Sequence, residues 1–431
     1  MTTKTTPAPM PATPAPAPRL SGDPTVRGLA ALLSVNALGN GLFLTISTLW
    51  FTRGLGYSVE RVGLALTVAG LCGILAALPA GRACDRWNAK GVLTCLHLLQ
   101  AGAIALYAVA DSFPVFLALA CLATAGSRAN AAARGALYAH VLPPGLRTRA
   151  LALLRAVNNV GIGAGATLGS VVIVFDTGAA YRGAICLSAA ASLLALIPLR
   201  AIPVPTRAVP AQPPRTARVA AVRRAAPAAG SGHPLRDVPY LAVTALNAVV
   251  NTLYVVLEVG LPLWLLTRTT APQAVVGWLL VINTVLVVAL QVRAVRGVTG
   301  PVQAARAFRR GGLLVAAACL AVACSADRSP FAATVVLVAA VVLLTFGEVI
   351  SQAGSWTLSY DLAPDHAQGT YQGIYQTGIS VSQALGPGLL TAFVLPHGIV
   401  GWAALATLFA GAALALPATA RWAVRELREA R

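Results

Sequence analysis

Twelve runs of mostly apolar residues follow one another along this chain, each near the ~20 residues that a helix needs to cross a hydrocarbon layer about 30 Å thick. They cover roughly 28–51, 60–80, 91–110, 114–135, 150–174, 183–200, 238–266, 274–292, 311–326, 330–352, 369–395 and 399–418. Of 431 residues, 57% are hydrophobic and 10% are charged, where a soluble domain carries about 25% charged residues. The expectation is an all-α integral membrane protein with twelve transmembrane helices. Gly, Pro and Asn interrupt several runs, which a membrane bundle tolerates when neighbouring helices satisfy the freed backbone groups.

The 32 basic residues set the orientation. With the N-terminus inside and the runs alternating, 27 bases fall on the inner side or near it. Five (Arg53, Arg61, Arg182, Arg268, Arg328) fall outside. This split predicts cytoplasmic N- and C-termini and an even number of spans. The net charge of +19 then reads as orientation and contact with the anionic lipid bilayer. Nucleic-acid binding is not expected, because the bases are dispersed over separate loops without interleaved aromatics. The excess of arginine over lysine, with abundant Ala, Gly and Pro, suggests a GC-rich bacterial genome and hence the bacterial cytoplasmic (inner) membrane. The seven cysteines form no CxxC or CxxH spacing, so neither a metal site nor a cofactor is expected.

Polar stretches divide the chain. Residues 1–25 are expected to be a disordered cytoplasmic tail without a signal peptide. Residues 26–200 form a first six-helix half, 201–237 a cytoplasmic linker rich in Pro and Arg, 238–420 a second half, and 421–431 a cytoplasmic tail. The halves echo each other. Asn36 and Asn40 open the first span as Asn247 and Asn251 open the seventh. Gly126 precedes Pro143 by the same interval that separates Gly347 from Pro364, and Gly165 and Gly386 fall at matching offsets beyond. Duplicated halves place a binding site at their interface near the midplane.

Acids inside the spans are the most informative residues, since a charge at mid-membrane costs about 2.5–3.5 kcal/mol on insertion scales. Of thirteen acids, Glu258 and Glu348 lie well within spans, and either is a candidate to carry a proton. Asn247, Asn251, Tyr254 and Glu258 share one face of span 7 at helical spacing, as Thr345, Glu348, Gln352 and Ser355 do on span 10. Asn36, Asn40 and Ser47 form a shorter stripe on span 1. Such stripes face a wet cavity or bond to another helix. The duplication register sets Ser127 opposite Glu348. Arg128 is therefore expected at the depth of Glu348, paired with it or sharing a proton-dependent contact. Arg155, Asn158 and Asn159 in span 5 are secondary candidates. Gly161, Gly165 and Gly169 repeat every four residues and make a smooth ridge for close helix approach.

The loop between spans 2 and 3 reads Gly81-Arg-Ala-Cys-Asp85-Arg86-Trp-Asn-Ala-Lys90-Gly91. It resembles the G-x-x-x-D-R-x-x-x-[RK] signature of the major facilitator superfamily, in the place where that family carries it. The resemblance extends over about residues 26–420 and is nearest to bacterial multidrug-type proton-coupled efflux facilitators. It implies the major facilitator fold, a monomer, and a cytoplasmic clamp built from Gly81, Asp85, Arg86 and Lys90. In that clamp Gly81 allows close approach, and Asp85 accepts hydrogen bonds from the helix start near Gly369, Thr370 and Tyr371. The loop between spans 8 and 9 carries no acid, so the second copy of the clamp is degenerate. The glycine run of span 5 is similar to the antiporter signature G-x-x-x-G-P-x-x-G-G, with Ala166 in place of the Pro and Ser170 in place of the last Gly.

Together these features imply a secondary active transporter moving a small organic compound by alternating access, with proton-coupled efflux preferred. An uptake symporter or facilitator for a metabolite such as a sugar or organic acid is the alternative. An enzyme is not expected: the five histidines are scattered, and no H-x-x-E-H, G-x-S-x-G or phosphate-loop pattern occurs. A sensor or assembly partner without transport would be separated from a carrier by a flux assay.

Overall fold

The computed structural model of the protein describes residues 23–110, 112–203 and 234–429. The expected N-terminal tail and central linker lie almost wholly outside the described residues. Among the described residues there are twelve long helices and no strand. The first six are α1 (Pro24–Gly54), α2 (Val59–Arg86), α3 (Ala89–Leu106), α4 (Phe113–Val141), α5 (Pro144–Phe175) and α6 (Gly178–Ala201). The second six are α7 (Val238–Arg268), α8 (Val275–Ala294), α9 (Pro301–Ala323), α10 (Pro330–Asp361), α11 (Gln368–Leu389, continuing through Leu390–Val394) and α12 (Gly398–Glu429). Ten are long and apolar enough to cross a membrane. The remaining two are more polar: α9 carries Arg306, Arg309 and Arg310, and α11 carries four glutamines.

Several helices outrun their apolar stretches. Asp23 caps α1 by accepting the Thr25 N–H at 2.8 Å, with Pro24 at the first helical position, so the helix begins inside the expected tail. α4 continues to Val141 and α12 to Glu429, so Arg421–Glu429, expected as tail, are helical. Apolarity marks only the part of a helix within hydrocarbon; backbone pairing continues beyond it, in α12 even through Pro417.

Each six-helix half has its own packed interior. Leu29, Leu32, Ile46 and Phe116 are fully buried in the first, and Tyr240, Leu253, Trp264 and Trp402 in the second. The glycine register recurs in the packing. A Cβ on Gly165 of α5 would meet the Leu38 carbonyl oxygen of α1 at 2.1 Å, and one on Gly386 of α11 would meet Val255 of α7 at 2.7 Å. Equivalent helices thus pack on equivalent partners.

The halves meet at the end of the bundle that carries the described termini. Asp85, in the last turn of α2, aims its carboxylate at the start of α11. Oδ1 accepts the Gly369 N–H at 2.7 Å, and Oδ2 accepts the Thr370 N–H and hydroxyl, both at 2.6 Å. These N–H groups have no partner inside their own helix, and the helix dipole favours a negative charge there. Gly81 lies directly against Gly369, where a Cβ would stand 2.1 Å from its carbonyl oxygen. Nearby, Tyr360 donates to the Gly135 carbonyl at 3.2 Å, and Thr148 bonds Thr357 at 2.9 Å. Two expected clamp residues do not join this contact. Arg86 points to solvent. Lys90 donates to the carbonyls of Arg200 and Ile202 at 2.7 and 2.9 Å, tying α3 to the end of α6 within one half. A short side chain at the helix end reaches α11, whereas the long basic ones find nearer acceptors.

Two outcomes test this packing. Gly165→Leu should destabilise the first half by about 1–3 kcal/mol, because the new side chain meets backbone that cannot yield; unchanged thermal unfolding of the purified protein would refute the close approach. Asp85→Asn removes charge-assisted bonds worth about 1.5–3 kcal/mol each. A cysteine placed at Gln376, in a background without native cysteines, should then react faster with maleimide from the side of the termini. No change in rate would show that other contacts keep that end shut.

Candidate functional site

Between the halves lies a cavity of about 390 Å³, within the range of small-molecule sites. It is not enclosed, and residues of α4 and α5 line it opposite residues of α7, α10 and α11. Gly135, Tyr138, Ser359, Tyr360 and Gln372 line the part next to the closed end. Hydrogen bonds that cross between the halves run from the clamp to the layer of Arg155 and Glu348. The bundle is therefore fastened at one end and at mid-depth.

That middle layer is an ion pair. Arg155 Nη2 of α5 donates to Glu348 Oε1 of α10 at 2.7 Å and to the Tyr254 hydroxyl of α7 at 2.6 Å. Its guanidinium also lies over the rings of Tyr254 and Trp356, 5.2 and 5.9 Å from their centroids. Glu348 is 2% exposed, and its other oxygen accepts from Asn283 Nδ2 of α8 at 3.1 Å. Both oxygens are engaged, as a buried carboxylate requires. Asn283 also donates to the Thr345 hydroxyl at 3.0 Å, so α8 orients the acid from behind.

Glu258 is arranged differently. α7 is interrupted at Thr252 and then forms a π-helical turn over Val256–Gly260. That turn carries Glu258 as an exposed residue lining the cavity, with no hydrogen bond or ion pair among the described residues. A π turn inside an α-helix frequently marks a functional position. Of the two expected acids, one is thus locked between the halves and the other is open to water.

Asn251, Tyr254 and Gln352 also line the cavity, with Gln352 Nε2 donating to Asn251 Oδ1 at 3.3 Å. Asn247 is buried outside the lining; its Oδ1 accepts from Ser355 at 2.5 Å, and Ser355 also bonds the Tyr375 hydroxyl at 2.6 Å. Asn36 and Asn40 on α1 lie outside the lining residues, and Asn40 is exposed. Gly161, Gly165 and Gly169 face α1 rather than the cavity. The expected pairing of Arg128 with Glu348 is not formed. Arg128 packs over Gly73 of α2, and Arg155 takes the acid instead. The duplication register says nothing about direction around the helix.

Four lining groups were missed as site candidates. Arg134 reads as an inner-side base where the apolar run of span 4 ends, yet α4 continues past it and Arg134 lines the cavity. Gln372, Gln376 and Gln383 repeat along α11 at spacings of four and seven, a polar stripe visible in the sequence.

The sequence profile of the Major Facilitator Superfamily matches residues 29–387. The multidrug resistance protein MdtH of Klebsiella pneumoniae is 25% identical over 350 residues, covering 81% of each chain. Among solved structures, the human organic anion transporter MFSD10 superposes with a TM-score of 0.69 at 19% identity, over 93% of this chain and 100% of that one. The fucose:proton symporter FucP of E. coli does so with a TM-score of 0.65 at 15% identity, over 92% and 98%. With the profile spanning most of the chain and the fold shared along its length, the protein is a member of the Major Facilitator Superfamily, multi-pass membrane transporters that carry small substrates.

Proposed function

We propose that this transporter exports a small organic compound in exchange for protons, by alternating access, as a monomer in the bacterial inner membrane with both termini in the cytoplasm. The described state is then outward-facing: the cytoplasmic end is held by Asp85 on α11, and the cavity faces the other side. The observation that carries the reading is the division of labour between the two intramembrane acids. Glu348 is bound to Arg155 across the halves, so it acts as a latch. Glu258 is a carboxylate open to the cavity without a partner among the described residues, so it takes the proton. The titratable groups sharing its cavity are Arg134, Arg155, Tyr138, Tyr254, Tyr360 and Tyr375, with Glu348 behind. Proton arrival from outside releases substrate, and the halves rock to deliver the proton inward. The likeness to MdtH, whose name records multidrug resistance, supports export. An uptake symporter is the second reading, supported by the shared fold with FucP, a fucose:proton symporter.

In proteoliposomes with an imposed pH gradient, the wild type should drive its substrate toward the side that supplies protons. Glu258→Gln should keep binding but lose gradient-driven accumulation. Accumulation by Glu258→Gln at the wild-type rate would contradict the assignment, and substrate moving in the same direction as protons would favour the symporter. Glu348→Gln leaves Arg155 without its counter-charge, which should cost about 3–5 kcal/mol. Combining it with Arg155→Gln should restore part of that loss in thermal unfolding. Strictly additive losses would show that the pair is not a coupled latch.

A further inference from the structure

Once Arg155 and Glu348 are paired off, two charges remain on the cavity wall, and they have opposite signs. Glu258 stands on the α7 side without a hydrogen-bond or ion-pair partner among the described residues. Arg134, on α4 of the other half, stands one residue from Gly135, whose carbonyl accepts from Tyr360 near the closed end. Arg134 has no hydrogen bond or carboxylate partner among the described residues. An arginine facing an interior cavity without a counter-ion is costly unless a ligand or water supplies the missing charge. Its planar fork of donors suits a carboxylate, sulfonate or phosphate oxygen pair. Four amide side chains that line the same cavity, Asn158, Asn159, Gln376 and Gln383, also have no hydrogen-bond partner among the described residues. The same wall also offers the rings of Tyr254, Trp356 and Tyr375.

We infer that the substrates of this site are zwitterionic amphiphiles, with an anionic group bound at Arg134, a cationic group at Glu258 and a flat apolar body on the aromatic wall between. This deepens the transport reading and rests on it: an ammonium group on Glu258 and a proton there exclude one another, which is what exchange requires. An anion alone would leave Glu258 uncompensated, and a cation alone would leave Arg134 so. Charges at the two ends of the molecule, rather than on adjacent atoms, match residues held on different halves.

The test is equilibrium binding to the purified full-length protein in detergent, followed by tryptophan fluorescence and calorimetry. The probes are a biphenyl with an aminomethyl group at one end and a carboxylate at the other, the two analogues with one charge each, and the uncharged carboxamide. The zwitterion should bind at least about tenfold more tightly than either singly charged analogue, since each charged group gains its own charge-assisted contacts. Arg134→Gln should reduce the zwitterion to the affinity of the amine, Glu258→Gln should reduce it to that of the carboxylate, and Arg134→Lys should retain most of the preference. Equal affinities across the wild-type panel, no binding of the zwitterion, or a preference unaffected by Arg134→Gln would each overturn the inference. If Arg134→Gln fails to fold, the wild-type panel alone decides. Zwitterion binding without proton-linked flux in proteoliposomes would sink the transport reading and leave the subsite standing. Flux of a singly charged dye without selective zwitterion binding would do the reverse.

Discussion

A carboxylate at mid-depth in a membrane bundle must find donors within the protein, because lipid offers none. Glu348 finds them on two other helices, Arg155 on α5 and Asn283 on α8. One of those helices belongs to the opposite half, so satisfying the acid also fastens the halves together. Much of the site follows from that bond. It brings Tyr254 and Trp356 around the guanidinium, on the wall of the cavity. A latch of this kind is specific because leaving either member alone costs more than the pair contributes.

The clamp at Asp85 uses a different source of strength. Its donors are backbone N–H groups at the start of α11, which are free in any helix. It therefore depends little on the side chains of that helix beyond the Thr370 hydroxyl, and greatly on how closely the backbones approach. Glycines at positions 81 and 369 permit that approach.

Much of the architecture was readable in the residues because the membrane restricts the choices. An all-helical membrane fold followed from the apolar runs, and the expected 6+6 division rested on the polar stretch 201–237 and on the duplicated Asn, Gly and Pro positions. The contact of Asp85 with the start of α11 was expected from the resemblance of its loop to the family signature. What could not be read was direction around a helix. Arg128 and Arg155 were both bases within spans, and only packing against α2 or α10 separates them. Arg134 was hidden because an apolar run ends before its helix does. The π turn that presents Glu258 was hidden as well, since Val256–Gly260 carries no Pro to announce it.

The central claim is that two fastened halves exchange which end is open. Electron-spin distance measurements in proteoliposomes test it directly, with one label pair across the clamped ends of α2 and α11 and another across the opposite ends of α5 and α8. The account predicts reciprocal populations: under a pH gradient, lengthening of the first distance accompanies shortening of the second. Distances that stay fixed, or that lengthen together, would contradict it.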